Sequence, residues 1–154
     1  MSLVSTVETA GAKTGHRFLV IDDNLDFVET IRVLLELNGH HVEVAFDGLA
    51  GLGAAISTEP DVVVLDVGLP KLNGYEVCRR IREHRLVRQP VIIGATGWAQ
   101  LVDRELGKYA GFDAHLVKPF GYKELSMLLD STPVRRQAIR ATGGQARALI
   151  EHPG

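Results

Sequence analysis

Asp61-Val62-Val63-Val64-Leu65-Asp66 is a continuous apolar run that ends on a carboxylate, and this stretch decides the fold. An apolar run bounded by polar residues is typical of a strand that is buried on both faces, as in a parallel sheet. A second run, Phe18-Leu19-Val20-Ile21, ends on Asp22-Asp23. Because ligands of open α/β sheets bind outside the carboxyl ends of the strands, we expect these carboxylates to meet at one edge of one sheet.

A cluster of three carboxylates needs a compensating charge. Two like charges about 4 Å apart repel by about 4 kcal/mol at an effective dielectric constant of about 20. Such a cluster is either partly protonated or neutralised by a cation, and Mg²⁺ is the natural partner because it is a hard ion that prefers oxygen ligands. We therefore predict that Asp22 and Asp23 hold a cation, directly or through water, with Asp66 as the third carboxylate.

The size and charge of the chain exclude several classes of protein. Its 154 residues suit one domain with tails, and 17 Lys and Arg against 19 Asp and Glu give a net charge of −2. That balance predicts neither general nucleic-acid binding nor membrane attachment. There is no apolar stretch of the ~20 residues that span a bilayer and no evident secretory signal, so we expect a cytoplasmic protein or the cytoplasmic part of one. The single cysteine, Cys78, excludes an internal disulfide and is predicted to be a small core residue.

The chain is predicted to consist of a flexible leader at 1–16, an ordered domain at 17–130 and a flexible basic tail at 131–154. Within the domain we predict strands at 18–22, 41–45, 61–66, 91–95 and 112–117, and helices at 24–37, 49–56, 75–85, 99–109 and 122–129. Many arginines of the third helix are expected on its outer face, and His40 and His41 are expected on the surface. Alternation of strands and helices indicates right-handed crossovers and a parallel sheet covered on both sides. The predicted fold class is α/β, a three-layer, doubly wound, five-stranded parallel sheet of the flavodoxin-like type.

Two further polar residues follow the fourth and fifth strands, namely Thr96 and Lys118. With Asp22, Asp23 and Asp66 they are expected to converge on the same sheet edge. Lys118 would pair with Asp66 or with an anion placed on it, and Thr96 would offer a hydroxyl to that anion. This set suits acceptance of a phosphoryl group, because a metal and a lysine neutralise the transferring oxygens while a carboxylate attacks in line. The alternative is a structural ion cluster that caps the strand ends.

Five short motifs lie between about Arg17 and Asp130, namely Ile21-Asp22-Asp23-Asn24, Leu65-Asp66-Val67-Gly68-Leu69-Pro70, Asn73-Gly74-Tyr75-Glu76, Ala95-Thr96-Gly97 and Val117-Lys118-Pro119-Phe120. Their order and spacing together are highly specific, and on them the chain resembles the receiver domain of two-component response regulators. Ala95-Thr96-Gly97-Trp98 and the run 110–120 look most like receivers attached to hybrid sensor histidine kinases.

The resemblance implies a reaction and a metal site. Asp66 would accept phosphate from a phosphohistidine on a histidine kinase or histidine phosphotransfer protein. Mg²⁺ would be held by Asp23 and Asp66, by Asp22 through water, and by the backbone carbonyl of Gly68. The chain would act as a signalling phospho-acceptor with slow autodephosphorylation rather than as an enzyme with a separate substrate.

The resemblance also implies a conformational switch. Thr96 would move toward the phosphoryl group, Lys118 would bind it, and the bond between Lys118 and Pro119 would be cis. The chain departs from the family pattern at two positions: Gly97 stands where many receivers have alanine, and His115 stands where many have the tyrosine or phenylalanine that turns inward on activation. Whether His115 replaces that aromatic half of the switch is left open.

Phosphate on Asp66 would shift the balance between two conformations of one surface, which a downstream protein would bind. That surface is formed by the helix at 99–109, the strand at 112–117 and the helix at 122–129. A homodimer is left open, and neither a nucleic-acid nor a membrane partner is expected.

Three alternatives share this fold. A flavin carrier should place Ser, Thr and Gly after the first strand, where this chain has Asp22-Asp23. A phosphatase of the haloacid dehalogenase type needs a second aspartate two residues after its nucleophile, where this chain has Gly68. A degenerate receiver that only binds proteins is disfavoured by the intact phosphorylation residues, although His115 favours it.

Overall fold

The computed structural model describes residues 15–86, 88–97 and 110–132, which form five strands and four helices. The strands are β1 (Arg17–Ile21), β2 (His41–Ala45), β3 (Val62–Asp66), β4 (Val91–Thr96) and β5 (Ala114–Val117). The helices are α1 (Leu25–Leu37), α2 (Gly48–Thr58), α3 (Gly74–Glu83) and α4 (Tyr122–Ser131). The strands pair in parallel in the order β2-β1-β3-β4-β5, which confirms the predicted doubly wound sheet.

The five strands and four helices agree closely with the prediction. Strand β2 has the predicted bounds, and the other eight elements differ from their predicted bounds by no more than two residues at either end. The predicted helix at 99–109 lies outside the described residues, as do 1–14 of the predicted leader and 133–154 of the predicted tail. Among the described residues, no helix is both long and apolar enough to cross a membrane.

The core has two halves because successive side chains of a strand point to opposite faces of the sheet. One half, packed against α2 and α3, contains Leu19, Ile21, Val63, Leu65, Ile92, Ala55, Val77 and Ile81. The other half, packed against α1 and α4, contains Phe18, Val20, Val62, Val64, Ile93, Val28, Ile31, Leu35 and Leu125. Cys78 belongs to the first half, where burial raises the pKa of its thiol to about 12, so the prediction of a small core residue is confirmed.

The arginines of α3 divide between the two faces of the helix. Arg79 and Arg80 lie on the outer face as predicted, with side chains 48% and 45% exposed. Arg82 does not follow this pattern, because its side chain is only 19% exposed. Arg82 stands four residues after Cys78, so it shares the buried face of the helix. Its guanidinium reaches the loops that enter β4 and β5.

Candidate functional site

The three predicted acidic residues meet at the carboxyl edge of the sheet. Asp66 is the last residue of β3, and Asp22 and Asp23 directly follow β1, which is paired with β3. One ligand oxygen from each carboxylate lies within 4.8 Å of the others. Asp22 and Asp66 are buried, at 1% and 8% exposed, whereas Asp23 is exposed. The edge of a parallel sheet therefore gathers these carboxylates, as the strand pattern predicted.

The loops that leave this edge are fixed by helix capping. The side chains of Asn24, Asp47 and Asn73 each accept a hydrogen bond from the backbone N–H three residues later, at 3.1, 2.8 and 3.0 Å respectively. These bonds satisfy N–H groups that have no partner inside the helix. The Asn24 N–H in turn donates to Asp22 Oδ1 at 2.9 Å. The same loop therefore starts α1 and orients the most buried carboxylate.

Lys118 supplies the positive charge of the site. Its backbone N–H donates to the Thr96 carbonyl at 2.7 Å, which holds the end of β5 beside the end of β4. Its Nζ lies 3.9 Å from Asp66 Oδ1, the predicted partner, and 2.9 Å from Asp22 Oδ2, which is the nearer carboxylate. Asp22 is the more buried of the two, and a buried carboxylate has the greater need of a paired charge. The peptide bond between Lys118 and Pro119 is cis.

An aromatic pair that sequence reasoning did not assign to the site covers this lysine. The Lys118 Nζ lies 4.8 Å from the centre of the Phe27 ring, and Phe27 meets Phe120 edge to face at 5.5 Å. An ammonium over an aromatic face is attracted by the electrons of the ring. The sequence placed Phe27 on the apolar face of α1, but no pattern indicated which charge it would contact.

Asp66 lies in surroundings that disfavour its charged form. Burial, the largest influence, raises the pKa of its carboxyl, and the neighbouring Asp22 and Asp23 act in the same direction. The Gly68 N–H, which donates to Asp66 Oδ1 at 3.0 Å, and the charge of Lys118 lower that pKa but do not cancel the rise. A bound cation would stabilise the carboxylate. The environment therefore suits a site in which a bound cation lies beside the carboxylate of Asp66 and keeps it ionised.

The two predicted switch residues lie on neighbouring strands. Thr96 ends β4 and is buried at 6% exposed. His115 lies on β5 with its ring over Gly94 of β4, because a Cβ added to Gly94 would come within 2.5 Å of the His115 Cδ2. The His115 ring also contacts Phe112, with ring centres 4.8 Å apart. The role of Gly94 was missed, although an isolated glycine inside a strand is a signal of close approach.

A second glycine with a structural role, Gly74, begins α3 directly against the strand end that carries Asp66. A Cβ added to it would lie 2.3 Å from the Asp66 carbonyl oxygen and 2.7 Å from Val67 Cα. Its N–H donates to the Val67 carbonyl at 3.2 Å. The sequence indicated only a turn here, because the clash depends on how closely the helix approaches the strand.

We expect Gly74→Ala to destabilise the chain by about 1–3 kcal/mol, because the added methyl group meets backbone atoms that cannot rotate away. The matched control is Gly53→Ala in α2, where an added Cβ has nothing within 4 Å. Because alanine favours a helix interior over glycine, the control should stabilise the chain by up to about 1 kcal/mol. Urea unfolding of the two variants measures both effects, and equal effects would contradict the close approach at Gly74.

A family model, curated relatives and solved structures agree on the kind of protein that this chain resembles. Residues 18–130 match the family described as response regulator receiver domain. The chain is 34% identical over 137 residues to the DNA-binding dual master transcriptional regulator RpaA of Synechocystis sp., covering 89% of this chain and 57% of that protein. It is 40% identical over 109 residues to the response regulator MprA of Mycobacterium avium, covering 71% of this chain and 47% of that protein. The chain thus spans about half the length of the curated relatives it matches.

Solved structures with the same fold include two receiver-type proteins. The chemotaxis response regulator CheY4 of Vibrio cholerae superposes with a TM-score of 0.70 at 28% identity, covering 76% of this chain and 98% of that one. The receiver domain of the sensor histidine kinase PA1611 from Pseudomonas aeruginosa superposes with a TM-score of 0.68 at 33% identity, covering 75% of this chain and 94% of that one. The latter structure has a magnesium ion coordinated in its active site cleft.

Proposed function

Because the chain belongs to the response regulator receiver domain family, we propose that Asp66 is the residue through which it receives a phosphoryl group. A phospho-accepting receiver of a two-component system fits the acidic cluster, and neither a flavin carrier nor a phosphatase is favoured. The observation that carries the proposal is the grouping of Asp66 with Asp22, Asp23 and the Lys118 ammonium at one sheet edge.

In the proposed reaction, side chains of this chain supply the nucleophile and neutralise charge on the phosphoryl group. A carboxylate oxygen of Asp66 attacks the phosphorus of a phosphohistidine, the new O–P bond forms, and the N–P bond breaks with release of the histidine. The Lys118 ammonium, which lies between the carboxylates of Asp22 and Asp66, neutralises charge on the transferring oxygens. Thr96, at the end of the adjacent strand, would offer its hydroxyl to the same oxygens.

The donor set also fits a divalent cation. Three carboxylates with oxygens within 4.8 Å of one another are the ligand type that Mg²⁺ prefers. Asp22, Asp23, Asp66 and the backbone carbonyl of Gly68 would hold the ion. When bound, Mg²⁺ would supply positive charge beside the carboxylate and the incoming phosphoryl group.

The partners follow from the proposed reaction. The phosphodonor would be a histidine kinase or a histidine phosphotransfer protein, and the output would be a contact with a downstream protein in the cytoplasm. Attachment to a hybrid kinase stays a prediction. The expectation that no nucleic acid is bound finds no support, because RpaA is named as a DNA-binding regulator and the chain covers 57% of it.

The test is incubation with acetyl phosphate, with and without Mg²⁺, followed by measurement of the intact mass. We expect a gain of one phosphoryl group that requires Mg²⁺ and is lost when a chelator is present during the incubation. Limited proteolysis and circular dichroism establish that the sample is folded. A folded chain that gains no phosphate from acetyl phosphate would favour a degenerate receiver that only binds proteins, or a receiver that accepts phosphate only from its own partner.

A further inference from the structure

Four side chains with rings form a second cluster, which we call the His40 cluster: His16, Phe18, His40 and Tyr122. His40 Nδ1 accepts a hydrogen bond from the His16 backbone N–H at 2.9 Å, and His40 Nε2 lies 2.9 Å from the Tyr122 hydroxyl. The His16 ring stacks on the His40 ring with centres 5.8 Å apart, and Phe18 meets His40 edge to face at 4.9 Å. The cluster joins the chain before β1, the loop before β2 and the first residue of α4.

The backbone around this cluster is closely packed. The His41 N–H donates to the His16 carbonyl at 3.0 Å, which extends the pairing of β1 with β2 by one step. A Cβ added to Gly15 would lie 1.9 Å from the Gly39 carbonyl oxygen, so the two backbones are in direct contact there. His40 is half-buried rather than fully exposed, because the chain before β1 and Tyr122 cover part of it, whereas the side chain of His41 is 69% exposed, as predicted for a surface residue.

These contacts fix the protonation state of His40. Because Nδ1 accepts the backbone N–H, it carries no proton, so in the neutral ring the proton is on Nε2 and is donated to the Tyr122 hydroxyl. A second proton, on Nδ1, would point at the His16 N–H and remove its acceptor. The arrangement therefore requires a neutral His40.

The groups that face His40 oppose its protonation. Burial lowers the pKa of His40, and the neighbouring His16 lowers it further. Among the described residues, the titratable groups that contact the ring are His16, from the chain before β1, and Tyr122, from α4. Asp130, also on α4, raises the pKa of Tyr122 and is not among the influences on His40. Within the part of the chain that the structure describes, no carboxylate raises the pKa of His40.

We infer that the His40 cluster is an acid-sensitive latch, which holds the start of α4 and the chain before β1 against the loop before β2, and which opens when His40 takes a proton. Tyr122 lies four residues after Lys118, so the helix that the latch holds begins next to the proposed phosphate-binding lysine. The latch uses no group of the acidic site, and the inference therefore stands apart from the proposed function.

The direction of the pH effect follows from the lowered pKa of His40. The stability that the latch contributes is fully present above the pKa of histidine in an unfolded chain, about 6.5. It declines as the pH falls from there toward the lower pKa of the folded state, because only the unfolded chain then binds the proton. Acidification is therefore the condition that weakens the contact between His40 and α4.

The test is an NMR titration of the full chain from about pH 8 to pH 5, the range in which histidines change charge. It is made in the Asp66→Asn background so that the acidic cluster contributes less to the shifts. Ring ¹⁵N shifts report the tautomer and titration midpoint of His40, and the backbone amide of Tyr122 reports the start of α4. We expect the Nε2–H tautomer, a midpoint below about 6.5, and a Tyr122 amide shift with the same midpoint.

Two variants and one control separate the latch from a histidine that merely titrates nearby. His40→Gln should abolish the pH-dependent shift of the Tyr122 amide. In Tyr122→Phe the hydrogen bond to His40 is lost, so the amide of Lys123, the next residue of α4, should no longer shift with pH although His40 still titrates. His41→Gln, a change at the exposed neighbour, should leave the titration as it is. A midpoint at or above about 6.5, an Nδ1–H tautomer, or α4 amides that do not follow His40 would overturn the inference.

Discussion

Asp66→Asn is expected to abolish phosphoryl transfer and, at the same time, to stabilise the folded chain at neutral pH. The amide has the shape of the carboxylate but lacks its nucleophilic oxygen, so incorporation of phosphate should fall on the order of 10³-fold or more, to background. A variant that lost phosphorylation only because it unfolded would show the opposite change in stability. The two effects together therefore identify the acceptor.

The stabilising effect follows from the raised pKa of Asp66. A carboxyl whose pKa is higher in the folded than in the unfolded chain costs stability as the pH rises from the unfolded value through the folded one. An amide does not titrate, and it removes the repulsion of Asp66 by Asp22 and Asp23. The melting temperature of the variant should therefore exceed that of the wild type by a few degrees at pH 7, and the difference should shrink in acid.

The measurements are intact mass after acetyl phosphate treatment and thermal melts with and without Mg²⁺. Mg²⁺ should raise the melting temperature of the wild type more than that of the variant, because a ligand stabilises the state that binds it. Asp26→Asn is the control, since Asp26 is an exposed carboxylate in the first turn of α1. Phosphate incorporation that survives in Asp66→Asn would place the acceptor at another residue.

The grouping of the acidic residues could be predicted because it depends only on strand direction. All strands of a parallel sheet end at the same edge, so the residue after each apolar run is brought to that edge whatever the packing of the helices. Asp22, Asp23, Asp66 and Lys118 are each one or two residues beyond or at such an end, and the structure brings them together. Sequence spacing is sufficient for this part of the site.

The pairing inside the cluster could not be predicted, because it depends on differences of about one ångström. Lys118 Nζ is 2.9 Å from Asp22 and 3.9 Å from Asp66, and that choice depends on which carboxylate is more buried. The clash at Gly74 and the position of His115 over Gly94 likewise depend on how closely two backbones approach. A pattern of residue types fixes neighbours in the sheet but not these separations.

The arginines of α3 show a related limit. Helical spacing places Arg82 near the apolar face, yet an arginine side chain is usually found at the surface, so the two signals conflict. The outcome depends on the carbonyl groups that the loops before β4 and β5 present to that face, and the Gly111 carbonyl lies 29 residues further along the chain. The burial of Arg82 therefore became visible only with the fold.

Arg82→Ala is expected to lower the free energy of unfolding by about 3–5 kcal/mol, because it removes one partner of a largely buried charge pair. The Arg82 guanidinium lies 2.8 Å from Asp113 Oδ2, and both side chains are less than one fifth exposed, at 19% and 18%. It also donates to the carbonyls of Gly111 at 2.9 Å and Pro90 at 2.7 Å. Asp113 Oδ2 accepts from the Ile92 N–H as well, so the pair joins α3 to the starts of β4 and β5.

A native domain is stable by about 5–15 kcal/mol, so a loss of this size should be visible as a large fall in the urea midpoint. Arg80→Ala is the matched control on the same helix, because the side chain of Arg80 is 45% exposed and pairs with Glu76 in solvent, where ion pairs contribute little. Arg82→Lys should fall between the two, since an ammonium keeps the charge but cannot donate to all these acceptors in one plane. If Arg82→Ala were as stable as Arg80→Ala, Arg82 would contribute little to the free energy of unfolding. Apolar packing alone would then hold α3 to β4 and β5.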